Sequence, residues 1–243
     1  MSELINKTTK KLSNSEKREK VLMLLDAGCN LKKRRSKFED AEKTLQKACR
    51  IMENVYRQTF SNKDRSLLLE CYFQIKDFYQ NCVVNKDLLQ RWHQKIVGVY
   101  EESCDKFFSL DEYHLLLEWY INTIDLMIEN SDYNHVVLYG NRMHKRANSL
   151  YNKTKTNEDK KFVILSMIFL GIGYSNQNKK YYGYYFYRQA AKEMEVIYNK
   201  YNDLGMKNDL ISLYTTLVKL SENGILKLFN KKWTVKLGLL KGE

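Results

Sequence analysis

The chain has 243 residues, 41 basic and 29 acidic side chains, a formal net charge of +12 and 44% hydrophobic residues. That length and balance provide for a sizeable core and exclude both a disordered chain and a small disulfide-built scaffold. Proline is absent and glycine is sparse at 10 residues, so the residues that most often interrupt helices are scarce and long helices are the expected element.

In chain order, the opening "MSELINKTTKKLSNSEKREK" is polar and lacks the apolar core of a leader peptide. Residues 1–14 are expected to form a flexible segment ahead of a repeat domain spanning 15–224. From there apolar residues recur with helical spacing. The polar breaks "FSNKD", "FSLDE", "ENSDYN", "KTNED" and "NQNKK" divide them into segments of helical length, several with a capping Ser, Asp or Asn in front. The pattern predicts nine to ten helices and no strand. The longest apolar run, Phe162 to Tyr174, is shorter than the ~20 residues of a membrane span and reads as a buried helix. Cysteines 29, 49, 71, 82 and 104 make no C-x-x-C pair and are odd in number, which predicts reduced core residues of a cytoplasmic protein rather than a zinc site or disulfide framework.

Charge is distributed unevenly. Residues 1–60 carry 15 basic and 8 acidic groups, residues 61–125 carry 7 and 11, and residues 126–243 carry 19 and 10. The basic ends offer long-range attraction to nucleic acid or an acidic surface, although such faces are more often only solvated.

A repeat emerges when alternate segments are aligned. The stretches ending on Tyr56, Tyr100, Tyr151 and Tyr198 lie 44, 51 and 47 residues apart, a period that covers two helices and marks an α-solenoid. Met167 to Ala190 reads M-x-x-L-G-x-x-Y followed by Gly183, Tyr187 and Ala190, and Phe38, Ala41, Leu45 and Ala48 match the second-helix half of the same pattern behind "LLDAGCNL". This pattern resembles the tetratricopeptide repeat, with repeats longer than the ~34 residues of the standard motif and Glu195 where its closing proline would stand. The resemblance implies an all-α tetratricopeptide-like α-solenoid of four to five antiparallel helix pairs, and a concave groove that holds an extended peptide. In "YYGYYFYRQAA", Gly183, Tyr187, Ala190 and Met194 share the packing face, while Tyr181, Tyr184 and Tyr185 are expected to project elsewhere.

No metal, nucleotide or nucleophile motif is present, and the four histidines are scattered, so no enzyme activity and no cofactor are expected. On a helical wheel the groove would be lined by Leu25, Cys29 and Lys32; Leu69, Phe73 and Lys76; Glu118, Asn122 and Asp125; Ile168, Ile172 and Ser175; and Ile211, Thr215 and Val218. Glu118 and Asp125 would favour a basic peptide, and Asn122 could hold its backbone. The corresponding positions depart from the lysine and asparagine clamp of chaperone-binding members of the family. The expected role is a protein- or peptide-binding module acting as adaptor or regulatory sensor. The alternative is a nucleic-acid-associated protein using Lys32, Lys33, Arg34 and Arg35, the C-terminal lysines and tyrosines such as Tyr181 and Tyr184. Residues 225–243, with Ile225, Leu228, Phe229 and interleaved lysines, read as a capping helix, a homodimer contact or a membrane-surface helix, capping being favoured.

Overall fold

The structure, a computed structural model, describes residues 12–202, 204–222 and 224–242. Among them are ten α-helices and no strand: α1 (Asn14–Leu31), α2 (Phe38–Thr59), α3 (Asn62–Asp77), α4 (Lys86–Lys106), α5 (Leu110–Glu129), α6 (Tyr133–Thr154), α7 (Asn157–Asn176), α8 (Lys180–Tyr201), α9 (Leu204–Leu220) and α10 (Asn230–Lys241). The segment expected to be flexible lies, as far as residue 11, outside the described residues. Helix α1 starts behind a capping box in which the Ser13 side chain accepts from the Glu16 N–H and Glu16 accepts from that of Ser13.

The chain divides into two compact units, one ending at Ser103 and one starting at Cys104. In the first, α1 packs on α2 and α2 on α3. In the second, every helix from α5 to α10 packs on the next. Within each unit short turns make these neighbouring helices antiparallel, and packing on sequence neighbours is the all-α helical repeat fold that the spacing predicts.

Without proline, several helices stop on left-handed residues. Phe60, Lys155 and Asn202, at φ of 47°, 56° and 51°, follow α2, α6 and α8, and their N–H groups donate to the carbonyls of Tyr56, Tyr151 and Tyr198 at 2.8, 2.8 and 2.7 Å. Three of the four periodic tyrosines therefore mark one C-terminal register. A left-handed non-glycine residue costs roughly 1–2 kcal/mol, offset here by the carbonyls it satisfies.

The following helix begins on a buried carboxylate. "TFSNKD" (59–64) and "TKTNED" (154–159) share a Thr-x-Ser/Thr-Asn-x-Asp pattern, and Asp64 and Asp159 are 0% and 1% exposed. Asp64 accepts from Thr59 (2.6 Å) and Ser61 (2.7 Å), Asp159 from Thr154 and Thr156 (2.6 Å for the latter). Each is also met from two helices back. Arg18 of α1 donates to both oxygens of Asp64 at 2.6 and 2.8 Å, and His114 Nε2 of α5 lies 2.7 Å from Asp159. The Arg18 hydrogen bond, with those of Thr59 and Ser61, holds Asp64 well below the usual carboxylate range against the cost of burial. At Asp159 burial pushes upward, and the bonds from Thr154, Thr156 and His114 outweigh it.

A second arrangement recurs. Tyr72 of α3 donates to Glu53 of α2 at 2.8 Å, and Lys95 of α4 pairs with Glu53 at 2.6 Å, its ammonium 4.5 Å from the Trp92 ring and 5.5 Å from that of Tyr72. Likewise Tyr214 of α9 donates to Glu195 of α8, and Lys236 of α10 pairs with Glu195 at 2.5 Å, 5.6 Å from both Tyr214 and Trp233. Thus the same side-chain arrangement joins α10 to α8 and α9 as joins α4 to α2 and α3. Trp233 is 1% exposed and donates to the Tyr184 hydroxyl at 2.9 Å.

Glycines set the spacing within pairs. A Cβ at Gly171 would lie 2.8–2.9 Å from the Tyr187 ring, one at Gly183 would collide with Ser175 Oγ and lie 3.1 Å from the Gly171 carbonyl, and one at Gly28 would lie 2.7 Å from Leu45. Glycines of the repeat pattern are therefore points of close helix approach in both units. All five cysteines are free, and burial pushes the Cys49 thiol up to about 12. No helix of the described residues is long and apolar enough to cross a membrane.

Gly171→Ala forces the Tyr187 ring or α8 to move and should lower stability in urea by about 1–3 kcal/mol, whereas Gly98→Ala, with nothing within 4 Å of the new Cβ, should raise it by about 0.5–1 kcal/mol. Because the folded pKa values of Asp64 and Asp159 are depressed, the stability they supply is complete above the unfolded carboxylate value of about 4 and is lost as pH falls below it. Urea midpoints at pH 7 and pH 3 should therefore differ less in the Asp64→Asn/Asp159→Asn variant than in wild type.

Candidate functional site

The residues expected to line a groove fall in both units, and of these Leu25 and Leu69 are buried in the core instead. In the first, Lys32 is drawn into the packing. Its ammonium bonds Asp77 at 2.7 Å and Gln74 at 3.1 Å, tying the end of α1 to the end of α3, and the Lys32 hydrogen bond lowers the Asp77 pKa. Phe73 and Lys76, on the same stretch of α3, are half-buried. Of the basic run, Lys33 bonds Asn30 at 3.1 Å, and Lys33, Arg34 and Arg35 are exposed at the turn.

In the second unit Glu118, Asn122 and Asp125 are exposed along one stripe of α5. The Asp125 carboxyl is pushed up by its partial burial and by Glu129 one turn on. Ile168 and Ile172 are half-buried on α7, where they form one wall of a cavity of about 580 Å³ between α7 and α9. Leu165 and Lys161 continue that wall, Met206, Asp209, Ser212, Leu213 and Thr216 form the wall opposite, and Tyr187 and Met194 of α8 close the floor.

The side of α9 that meets the cavity is one position on from the Ile211, Thr215 and Val218 stripe expected from the wheel. Both flanks of an apolar stripe look alike in sequence. Here α10 takes the other flank, where Val218 packs against the core and Asn230 Nδ2 donates to the Val218 carbonyl at 3.0 Å.

The repeat pattern assigns Tyr187 to packing alone. Its ring does lie against Gly171, yet it also faces the cavity, and its hydroxyl has no hydrogen-bond partner among the described residues. Burial alone pushes its pKa up to about 12. The lining is mostly aliphatic with a few polar groups. It includes neither histidine nor cysteine.

The other aromatic residues of α8 separate by face. Tyr184 is not displayed on the surface: it is 3% exposed, bonded to Trp233 and stacked on Phe229 at 5.8 Å. The reason lies in the C-terminal segment, where Phe229 and α10 cover this side of α8. Tyr181, Tyr182 and Tyr185 are 67%, 57% and 47% exposed.

The chain is an all-α helical repeat protein. No protein-family model and no curated protein matches its sequence. Among solved structures it is similar to a de novo designed helical repeat protein, which aligns over 95% of this chain and 100% of its own length at 10% identity with a TM-score of 0.29. The fold assignment rests on the packing described above.

Tyr187→Phe removes a hydroxyl without a protein partner and should change the urea-derived stability by less than about 0.5 kcal/mol, while Tyr184→Phe leaves the Trp233 N–H unpaired in the core and should cost about 1–3 kcal/mol.

Proposed function

We propose that the chain is a non-enzymatic binding module of tetratricopeptide-like type, and that it takes a protein or peptide segment in the groove between α7 and α9. The observation that carries this reading is the 580 Å³ cavity itself, open between two first helices and walled by Leu165, Ile168, Ile172, Met206 and Leu213. Apolar area buried there would supply affinity at about 25 cal/mol per Å².

The flanking charge argues for the kind of segment. Glu118 and Asp125 on α5 and Asp209 on α9 are exposed carboxylates of the same unit, so aliphatic side chains in the groove would be accompanied favourably by lysine or arginine alongside. Asn122, one turn from each α5 carboxylate, offers a donor and an acceptor to an extended backbone. A protein with this capacity acts as an adaptor or as a cytoplasmic regulatory sensor. The tetratricopeptide reading is supported by Gly171 against Tyr187 and Gly28 against Leu45, the small-residue and large-residue contact that the repeat pattern pairs.

Selection of a phage-displayed random peptide library on the immobilised full chain tests the proposal. Enriched peptides should combine Leu, Ile, Met or Phe with Lys or Arg. Their synthetic counterparts should bind Ile168→Asp at least about tenfold more weakly, the equivalent of 1.4 kcal/mol, and Glu118→Arg/Asn122→Ala more weakly too, with circular dichroism unchanged. Equal affinity for wild type and Ile168→Asp would eliminate the groove as the site.

A further inference from the structure

The α7–α8 turn and the outer face of α8 carry a group of rings that the groove does not use. Gly183, Tyr187, Ala190 and Met194 face inward, so helical geometry turns Tyr181, Tyr182 and Tyr185 outward. These rings are ordered by one another. Tyr181 meets Tyr182 edge-on at 6.2 Å, Tyr182 lies 5.5 Å from Tyr174, Tyr174 stacks on Phe186 at 5.6 Å with planes 4° apart, and Phe186 meets Tyr185 edge-on at 5.3 Å. Five aromatic side chains from two helices thus form a continuous array, with Tyr181, Tyr182 and Tyr185 as its exposed members.

Along the stretch of chain that carries the array, charge has one sign. From Lys160 to Lys192 the sequence has six basic residues and no acidic one. Lys160 is taken up by Glu193 at 2.5 Å. Lys179 stands 5.8 Å over the Tyr174 ring, Lys180 is exposed beside Tyr181, and Lys192 is exposed on the same outer stripe as Tyr185.

We propose that this array is a binding site for single-stranded nucleic acid, its bases stacking on Tyr181, Tyr182 and Tyr185 and its phosphates meeting Lys179, Lys180 and Lys192. Rings held by neighbouring rings present their faces with little rotamer freedom left to lose, and bases of any sequence have a π-face to offer. An acidic peptide would use the lysines but has no planar groups for three exposed tyrosines. A duplex keeps its bases inside and would leave the rings idle. The exposed phenol hydroxyls remain free to donate to phosphate or to base edges. The site is separate from the groove, which lies on the opposite side of α8 around Tyr187 and Met194.

The test is fluorescence anisotropy of the full chain with a labelled oligo(U) of about 20 nucleotides, a length that exceeds one stacking platform. A duplex of equal length and anionic phosphatidylserine vesicles are measured in parallel. The single strand should bind more tightly than the duplex, with log affinity falling linearly as log salt rises. Tyr181→Ala/Tyr185→Ala should lower the affinity at least about tenfold while the helical circular dichroism stays as in wild type, since both positions are exposed. Lys179→Ser/Lys180→Ser should flatten the salt dependence by about 0.7 for each phosphate that is no longer neutralised. The proposal is overturned by absence of oligo(U) binding, by equal affinity for the duplex, or by vesicle binding that the tyrosine variant alone abolishes. It is also overturned if affinity survives the tyrosine variant and disappears in Lys33→Ser/Arg34→Ser/Arg35→Ser, which would move the binding to the basic turn after α1.

Discussion

The distance between α7 and α8 is set where the Tyr187 ring lies on Gly171, and the surfaces around it depend on that contact. Two helices come this close only where no Cβ intervenes, and a side chain at Gly171 or Gly183 would meet the ring, Ser175 or the Gly171 carbonyl. Close approach lowers α8 to the floor of the space between α7 and α9. It also rotates α8 so that Tyr187 and Met194 point inward and Tyr181, Tyr182 and Tyr185 outward. One glycine contact therefore decides which tyrosines become floor and which become surface. The first unit repeats the device with Gly28 and Leu45.

The buried carboxylates act at a longer range. Asp64 and Asp159 start first helices, α3 and α7, and each is reached by a side chain from the preceding first helix, Arg18 of α1 and His114 of α5. Lys32 and Asp77 link the other ends of α1 and α3. These pairs hold first helices side by side, and a groove in a repeat protein is lined by such neighbours. An ion stripped of its water must find polar partners in the protein, and each carboxylate has two hydroxyls besides its cationic or imidazole partner. Desolvation thereby fixes the register of the turns more tightly than apolar contact alone would.

The second unit presents two chemically opposite surfaces from one helix. Toward α9 the lining is aliphatic with carboxylates nearby, which suits a segment rich in aliphatic and basic side chains. On its outer face α8 is aromatic and basic, which suits flat bases on an anionic backbone. The two proposals rest on different residues and can stand or fall separately.

Helix content, the two-helix period and the glycine-centred packing of α7 on α8 were legible in the sequence, because each depends on residues close in the chain: periodic apolar positions, caps such as Ser61 and Ser109, and Gly171 and Gly183 at fixed offsets from Tyr187. The stripe Leu68, Cys71, Tyr72 and Ile75 is buried as its spacing predicts. What tertiary structure alone decided were matters of which flank a neighbour covers. Helix α10 took the Val218 side of α9, so the cavity opened on Asp209, Ser212 and Thr216, and Tyr184 went under Trp233 instead of to the surface. Lys32 passed from a surface basic run into an ion pair with Asp77. A sequence records how apolar each face of a helix is, but two apolar flanks of one stripe are degenerate until the chain returns to bury one of them. That choice is made by residues tens of positions away.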